Sequence, residues 1–243
     1  QLPSLCNFLC TIGDRMITGG QTGEVFDAKT GEMIYQHRSP LNCAVAFTQG
    51  GQHFAVVGTY TGEGLLFTLI DNQLSYVKDL HLHENAIKGI YANQHSLFSV
   101  CADGAVAFHD LSTFEQQYYD LHAHDMIANG CASDGVDTFV SVSRDLKLRI
   151  WEGKNALCVD TPSKNSIKCV AMSKCGNYVA IGNYVGYVGL YCLQSHTWLH
   201  WARHAGAGVS SIDCTLDNRF IASSYDGQSH IINIEEYNLA KVA

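Results

Sequence analysis

Apolar residues along this chain fall into short runs, many alternating with polar residues, and the runs are separated by Gly, Asn and Asp. Alternation at a period of two sends successive side chains to opposite faces of a strand, and runs of about four to eight such residues bounded by turn formers read as strands. No window keeps the 3.6-residue period of an amphipathic helix. The pattern therefore predicts an all-β chain of many short antiparallel strands.

The runs repeat as a unit. Residues 140–152 (VSVSRDLKLRIWE) have close echoes at 99–110 (SVCADGAVAFHD) and 222–233 (ASSYDGQSHIIN), and looser ones at 58–68, 182–192 and 19–27. Aligning the copies on Phe26, Phe67, His109, Trp151, Tyr191 and Ile232 spaces them by 41, 42, 42, 40 and 41 residues. About four strands fit in each interval, which is the content of one propeller blade.

In the fourth copy, Ser141 and Asp145 stand four apart, Trp151-Glu152 follows, and His124 lies upstream. This arrangement resembles the ending of a WD repeat. The resemblance extends over the whole chain, strongly in copies three, four and six and weakly in one, two and five. It implies a propeller of six four-stranded blades forming a single domain over residues 1–243, with part of a seven-bladed ring as the alternative. It also implies a structural hydrogen-bonded network through His124, Ser141, Asp145 and Trp151, and through His83, Ser99 and Asp103 in copy three, where His109 replaces Trp. Copy six keeps His204 and Asp226 but has Ala222 and Ile232; copies one, two and five carry Thr22, Thr61 and Val185 in place of the turn Asp.

The ends raise the question of closure. Residues 5–9 read as an inner strand, and residues 237–242 form a strand-length segment with no repeat of its own. The expectation is that this C-terminal segment supplies the outer strand of the first blade and removes two exposed edges. The chain opens with Gln rather than Met, suggesting a fragment of a larger protein.

Composition narrows the class. Hydrophobic residues make up 47% of the chain, enough for a core, and 15 Lys plus Arg against 23 Asp plus Glu leave a net charge of −8, which disfavours nucleic acid as partner. Ten cysteines without a compact CxxC pair or regular framework, and the lack of any Asn-x-Ser/Thr sequon, read as reduced thiols in a cytoplasmic or nuclear protein. No apolar stretch approaches the roughly 18 residues that span a bilayer, so no membrane partner is expected.

Candidate chemistry is sparse. There is no Gly-x-Ser-x-Gly elbow, phosphate loop or His-Glu-x-x-His, so the chain is expected not to be an enzyme. The pairs His81 with His83 and His122 with His124 could suggest a metal, but the second member of each is the repeat's structural His. Neither metal nor cofactor is expected. Trp198 and Trp201, near an outer strand, fit either a partner-binding ridge or packing between blades, while Tyr118 and Tyr119 read as half-buried sheet residues.

The resemblance places partners on loop positions around a central opening. Residues before the turn Asp are Gln21, Tyr60, Ala102, Arg144, Tyr184 and Tyr225; Lys88 and Lys168 stand at inner-strand starts, and Met126 two residues before one. Tyr, Arg and Met are enriched in interfaces, so Tyr60, Lys88, Met126, Arg144, Lys168, Tyr184 and Tyr225 form the expected partner site. A basic, aromatic rim suits an acidic or tyrosine-accepting protein or peptide. The leading expectation is a noncatalytic scaffold; the alternatives are a ligand-sensing regulatory propeller of a nucleotide-hydrolysing switch protein, and a propeller enzyme.

Overall fold

The computed structural model describes residue 2 and residues 4–239. Antiparallel sheets account for nearly all of it, and the chain falls into two compact units, Gln1–Ala123 and His124–Ala243.

The first unit holds three four-stranded sheets. The first is β1 (Cys6–Ile12), β2 (Arg15–Gly20), β3 (Glu24–Asp27) and β4 (Met33–Gln36); the second is β5 (Leu41–Gln49), β6 (Gln52–Thr59), β7 (Glu63–Ile70) and β8 (Gln73–His81). The third is β9 (Ile87–Ala92), β10 (Ser96–Cys101), β11 (Val106–Asp110) and β12 (Gln116–Asp120). β1 packs on β5 and β5 on β9. Between the sheets lie Ile12, Ile17, Val25, Leu41, Leu65 and Phe67, and then Val56, Leu82, Ile87 and Leu97.

The second unit continues the pattern. Its first sheet is β13 (Ala128–Ser133), β14 (Thr138–Ser143), β15 (Lys147–Glu152) and β16 (Asn155–Asp160). The next is β17 (Ile167–Met172), β18 (Tyr178–Asn183), β19 (Tyr187–Cys192) and β20 (Thr197–Arg203). The sixth sheet has three strands among the described residues, β21 (Val209–Cys214), β22 (Arg219–Ser224) and β23 (Ser229–Asn233), and is followed by helix α1 (Ile234–Leu239). Val188, Leu190, Val209, Phe220, Ile232 and Ile234 fill one apolar cluster between the last two sheets.

The strand count corrects the expected closure. The first sheet already contains its own fourth strand, β4, and residues 237–239 belong to α1; residues 240–242 lie outside the described residues. Local chemistry accounts for the helix: the Glu235 amide donates to Asn233 Oδ1 at 3.2 Å, and Glu235 and Glu236 place negative charge at the positive end of the helix dipole.

Every inner strand carries a register shift after its first residue, leaving Asn7, Asn42, Lys88, Asn129, Lys168 and Ser210 as the extra residue. A bulge bends the strand and re-aims one side chain. Asn7, Asn42 and Asn129 donate to the carbonyls of Leu41, Ile87 and Ile167, each the first residue of the following sheet, at 2.6–2.7 Å.

Candidate functional loop edge

The turn between the second and third strand of each sheet is built the same way in all six copies. The residue entering the turn donates its amide to a carbonyl just before the inner strand: Gln21 to Leu5, Tyr60 to Pro40, Ala102 to Ala86, Arg144 to Ile127, Tyr184 to Ser166 and Tyr225 to Gly208, at 2.9–3.2 Å. The turn Asp is thus dispensable for position. Thr59 Oγ1 takes the amides of Thr61 and Glu63 in copy two, and Asn183 Oδ1 those of Val185 and Tyr187 in copy five, at 2.9–3.3 Å. Tyr60 and Tyr184 are therefore equivalent to Arg144 and Tyr225.

Within the first unit this edge brings Lys88 Nζ to 5.2 Å above the Tyr60 ring. Within the second, the Arg144 guanidinium carbon sits 5.6 Å above the Tyr184 ring. Cations so placed are attracted by the ring quadrupole. Both lysines of the expected site are bulge residues, occupying the place where Asn ties neighbouring sheets in copies one, two and four. That equivalence was not visible in the sequence, because a bulge leaves no residue signature of its own. Met126 and Tyr225 are exposed, at 52% and 64%, and Lys168 is half-buried; no contact joins these three to the Arg144 and Tyr184 pair. The Arg144 Nε is buried and has no partner among the described residues.

Behind this edge lies the polar network of copy four. Trp151 Nε1 donates to Ser141 Oγ at 2.9 Å, Ser141 Oγ lies 2.8 Å from His124 Nε2, and His124 Nδ1 lies 3.0 Å from Asp145 Oδ2. Burial holds the His124 pKa below its usual range. Burial alone would raise Asp145, but the His124 hydrogen bond and the Arg149 charge hold its carboxyl far below the carboxylate range. A neutral imidazole between a hydroxyl and a carboxylate fixes the chain of donors: indole to hydroxyl, hydroxyl to Nε2, Nδ1–H to carboxylate. Arg149, which the sequence reading overlooked, donates to the same Asp145 oxygen at 2.9 Å. Its signal was its register directly opposite Ser141.

Copy three departs from expectation. His83 Nε2 does meet Ser99 Oγ at 2.9 Å, but Asp103 stays in its turn, accepting the Ala105 amide at 3.0 Å, and His83 Nδ1 has no partner among the described residues. The position of Arg149 is here Ala107, so no cation draws the carboxylate inward. In copy six, Ala222 offers no hydroxyl, and His204 Nε2 instead lies 2.8 Å from His200 Nε2.

The two tryptophans of the outer strand lie across the sheet over Gly189, where an added Cβ would come within 2.7 Å of Trp201 and 2.9 Å of Trp198. Trp198 donates to the Asp160 carbonyl at 2.9 Å, and Trp201 stacks on Tyr187 at 5.5 Å. Packing absorbs both. Tyr118 and Tyr119 are half-buried, as their pattern suggested. His81 faces solvent beside Glu84 while His83 is buried, so that pair does not converge; among the described residues no group of three or more His, Cys, Asp or Glu could hold a metal.

No protein-family profile matches the chain. Among curated proteins, the WD repeat and FYVE domain-containing protein 2 of Caenorhabditis elegans is 27% identical over 119 residues, which cover 48% of this chain and 28% of that protein. Among solved structures, the WD40 β-propeller domain of Doa1 superposes with a TM-score of 0.80 at 14% identity, covering 96% of this chain and 80% of the other. The chain is a WD-repeat β-propeller. The computationally designed Ika8 protein shows the same fold, with a TM-score of 0.76 at 19% identity over 95% of this chain and 71% of that one. The six sheets are six blades, and the polar network belongs to the WD repeat of blade four. The chain matches well under two thirds of the curated relative's length. Among the described residues no helix of the propeller is long and apolar enough to cross a membrane.

Proposed function

We propose that this propeller is a noncatalytic scaffold whose loop edge binds a protein or peptide segment, as one domain of a longer intracellular protein. The observation that carries the reading is the common backbone anchor of the six turn positions. It fixes Tyr60, Arg144, Tyr184 and Tyr225 at equivalent places on rigid sheets, where aromatic and arginine side chains serve as interface anchors. Lys88 and Lys168, set out on bulges, add positive charge to a chain of net charge −8. An acidic or tyrosine-accepting segment suits this surface. The ten cysteines, all free, fit a reducing compartment.

The test is a quantitative pull-down from native cell extract with the wild type and an Arg144→Ala, Tyr225→Ala double variant of matched melting temperature. Loss of about 1–2 kcal/mol per anchor predicts roughly tenfold or greater depletion of the bound partner. Equal recovery of the same partners by both proteins would reject the loop edge as the binding surface.

A further inference from the structure

Blade six is where the repeat departs from itself. In the other five blades a fourth strand pairs antiparallel with the third. After β23 the chain instead enters α1, which turns toward β20: the Tyr237 ring lies 4.2 Å from that of His200, and Ile234 is buried in the core. Among the described residues, nothing pairs with the outer edge of β23. An edge strand presents a row of backbone donors and acceptors to any extended chain, and natural proteins guard such edges with Lys, Pro or an inward charge. β23 reads Ser-His-Ile-Ile-Asn and carries none of these guards.

Its side chains add an anchor. Ile231 is 61% exposed, whereas Val25, Leu66, Phe108, Ile150 and Leu190, which hold the same place in the other blades, are buried. Directly across the sheet Ile221 is also exposed, so two isoleucines form an apolar row leading to the edge. Charge brackets the strand on both sides. Asp226 precedes it, Glu235 and Glu236 follow it, and all three are exposed; Arg219 at the same end of the sheet is already paired with Asp217 at 2.7 Å.

We propose that β23 is a strand-acceptor edge that takes an extended segment of a partner polypeptide as the fourth, antiparallel strand of blade six. The five sister blades show what kind of element occupies this place. Exposed Ile231 calls for apolar side chains at alternate positions of the incoming strand, and the acids at both ends call for Lys or Arg flanking it. Backbone pairing supplies affinity and the alternate side chains supply selectivity. The site is separate from the loop edge and does not depend on its role.

The experiment uses the full chain and a labelled peptide of about ten residues, alternating Thr and Val between paired lysines, with binding read by fluorescence anisotropy and hydrogen exchange. Expected are saturable binding, slowed exchange confined to residues 229–233 and their neighbours, and at least about tenfold weaker binding to Ile231→Lys, which retains the wild-type melting temperature. The same peptide with alternate backbone amides N-methylated should not bind, and a glutamate-flanked peptide should bind about tenfold more weakly. Absence of binding, equal binding by Ile231→Lys or by the N-methylated peptide, or protection elsewhere overturns the proposal. So does protection of residues 229–233 in the free protein, which would mean that its own chain covers the edge. A wild-type dimer that Ile231→Lys dissociates in sedimentation would assign the edge to a second copy instead.

Discussion

Blades three and four start from the same repeat and end with opposite polar interiors. In blade four, indole, hydroxyl, imidazole and carboxylate each have a partner, and Arg149 anchors the far end. In blade three, His109 takes the place of the indole; it is 1% exposed and neither of its ring nitrogens has a partner among the described residues. Both sheets form nonetheless, since Phe98, Val100 and Val106 in one, and Phe139, Val142 and Leu148 in the other, are equally buried. The apolar pattern thus makes the blade, and the network decides how rigidly it is held. A polar interior is stabilising only when every member is satisfied; two changes, Trp to His and Arg to Ala, turn it into a cost.

The sharpest way to break this contrast is to remove the aromatic from each blade. Trp151→Ala deletes a fully buried side chain and leaves the Ser141 hydroxyl without a donor, so a loss of about 3–5 kcal/mol is expected. His109→Ala removes a smaller ring that makes no hydrogen bond, and about 1 kcal/mol or less is expected, because the cavity term is offset by relief of two unsatisfied nitrogens. Urea midpoints of the two variants provide the comparison. Similar losses would show that the blade four network adds nothing beyond its ring.

The repeat phase, the six blades and the complete network of blade four were legible in the sequence, because Asp-Gly turns and Trp151 recur at fixed offsets. The register of the partner positions survived the missing turn Asp in copies two and five, since Thr59 and Asn183 perform the same capping. What escaped the reading has physical causes. β4 is only four residues long and mixed in polarity, so a distant segment looked the better fourth strand. The end of the chain contains Tyr and Val and reads as a strand, yet Asn233, Glu235 and Glu236 are helix-start signals lying just ahead of it. Asp103 looked like a network member because its own residue type was right; whether it turns inward depends on the residue opposite Ser99, a cross-strand fact.

A second contrast concerns pH. Burial pushes both His83 and His109 down to about 4 from an ordinary value of 6.5. Around His83 stand Asp103, which favours the proton, and His109 and His81, which oppose it; the Tyr119 ring lies 5.5 Å away. A histidine whose folded pKa lies below its unfolded value takes up its proton first in the unfolded chain. Its contribution is therefore intact above about pH 6.5, falls as the pH drops through the window down to about 4, and falls no further below that. The pair should cost the protein on the order of 1–3 kcal/mol across that window. His109→Trp removes one of the two groups and offers Ser99 the indole donor that Ser141 has. It should raise stability at neutral pH by about 1 kcal/mol and shrink the acid loss. Chemical denaturation at about pH 7.5 and about pH 5 checks both effects, and an unchanged acid loss in His109→Trp would place the sensitivity elsewhere in the molecule.

The smallest expected effect tests whether blade four is optimised throughout. Its turn contains Leu146 at φ 68°, in the left-handed region, where Gly23, Gly62, Gly104, Gly186 and Gly227 serve the other five blades. A side chain with a Cβ is strained there by about 1–2 kcal/mol, so the best-connected network sits beside the least comfortable turn. The neighbouring bonds hold it in place: Asp145 Oδ1 accepts the Lys147 amide at 2.9 Å and Ser143 Oγ the Asp145 amide at 3.0 Å, closing the turn on both sides of Leu146. Leu146→Gly relieves the strain but enlarges the freedom of the unfolded chain, which returns part of the gain. A net stabilisation of about 0.5 kcal/mol is expected, read as a higher urea midpoint with an unchanged slope. In an Asp145→Ala background the gain should grow, because the turn then loses the bonds that impose its conformation. If Leu146→Gly instead destabilises in both backgrounds, the leucine contributes packing that outweighs its backbone strain, and the turn of blade four differs from the others by design of its side chain rather than by tolerance of the network.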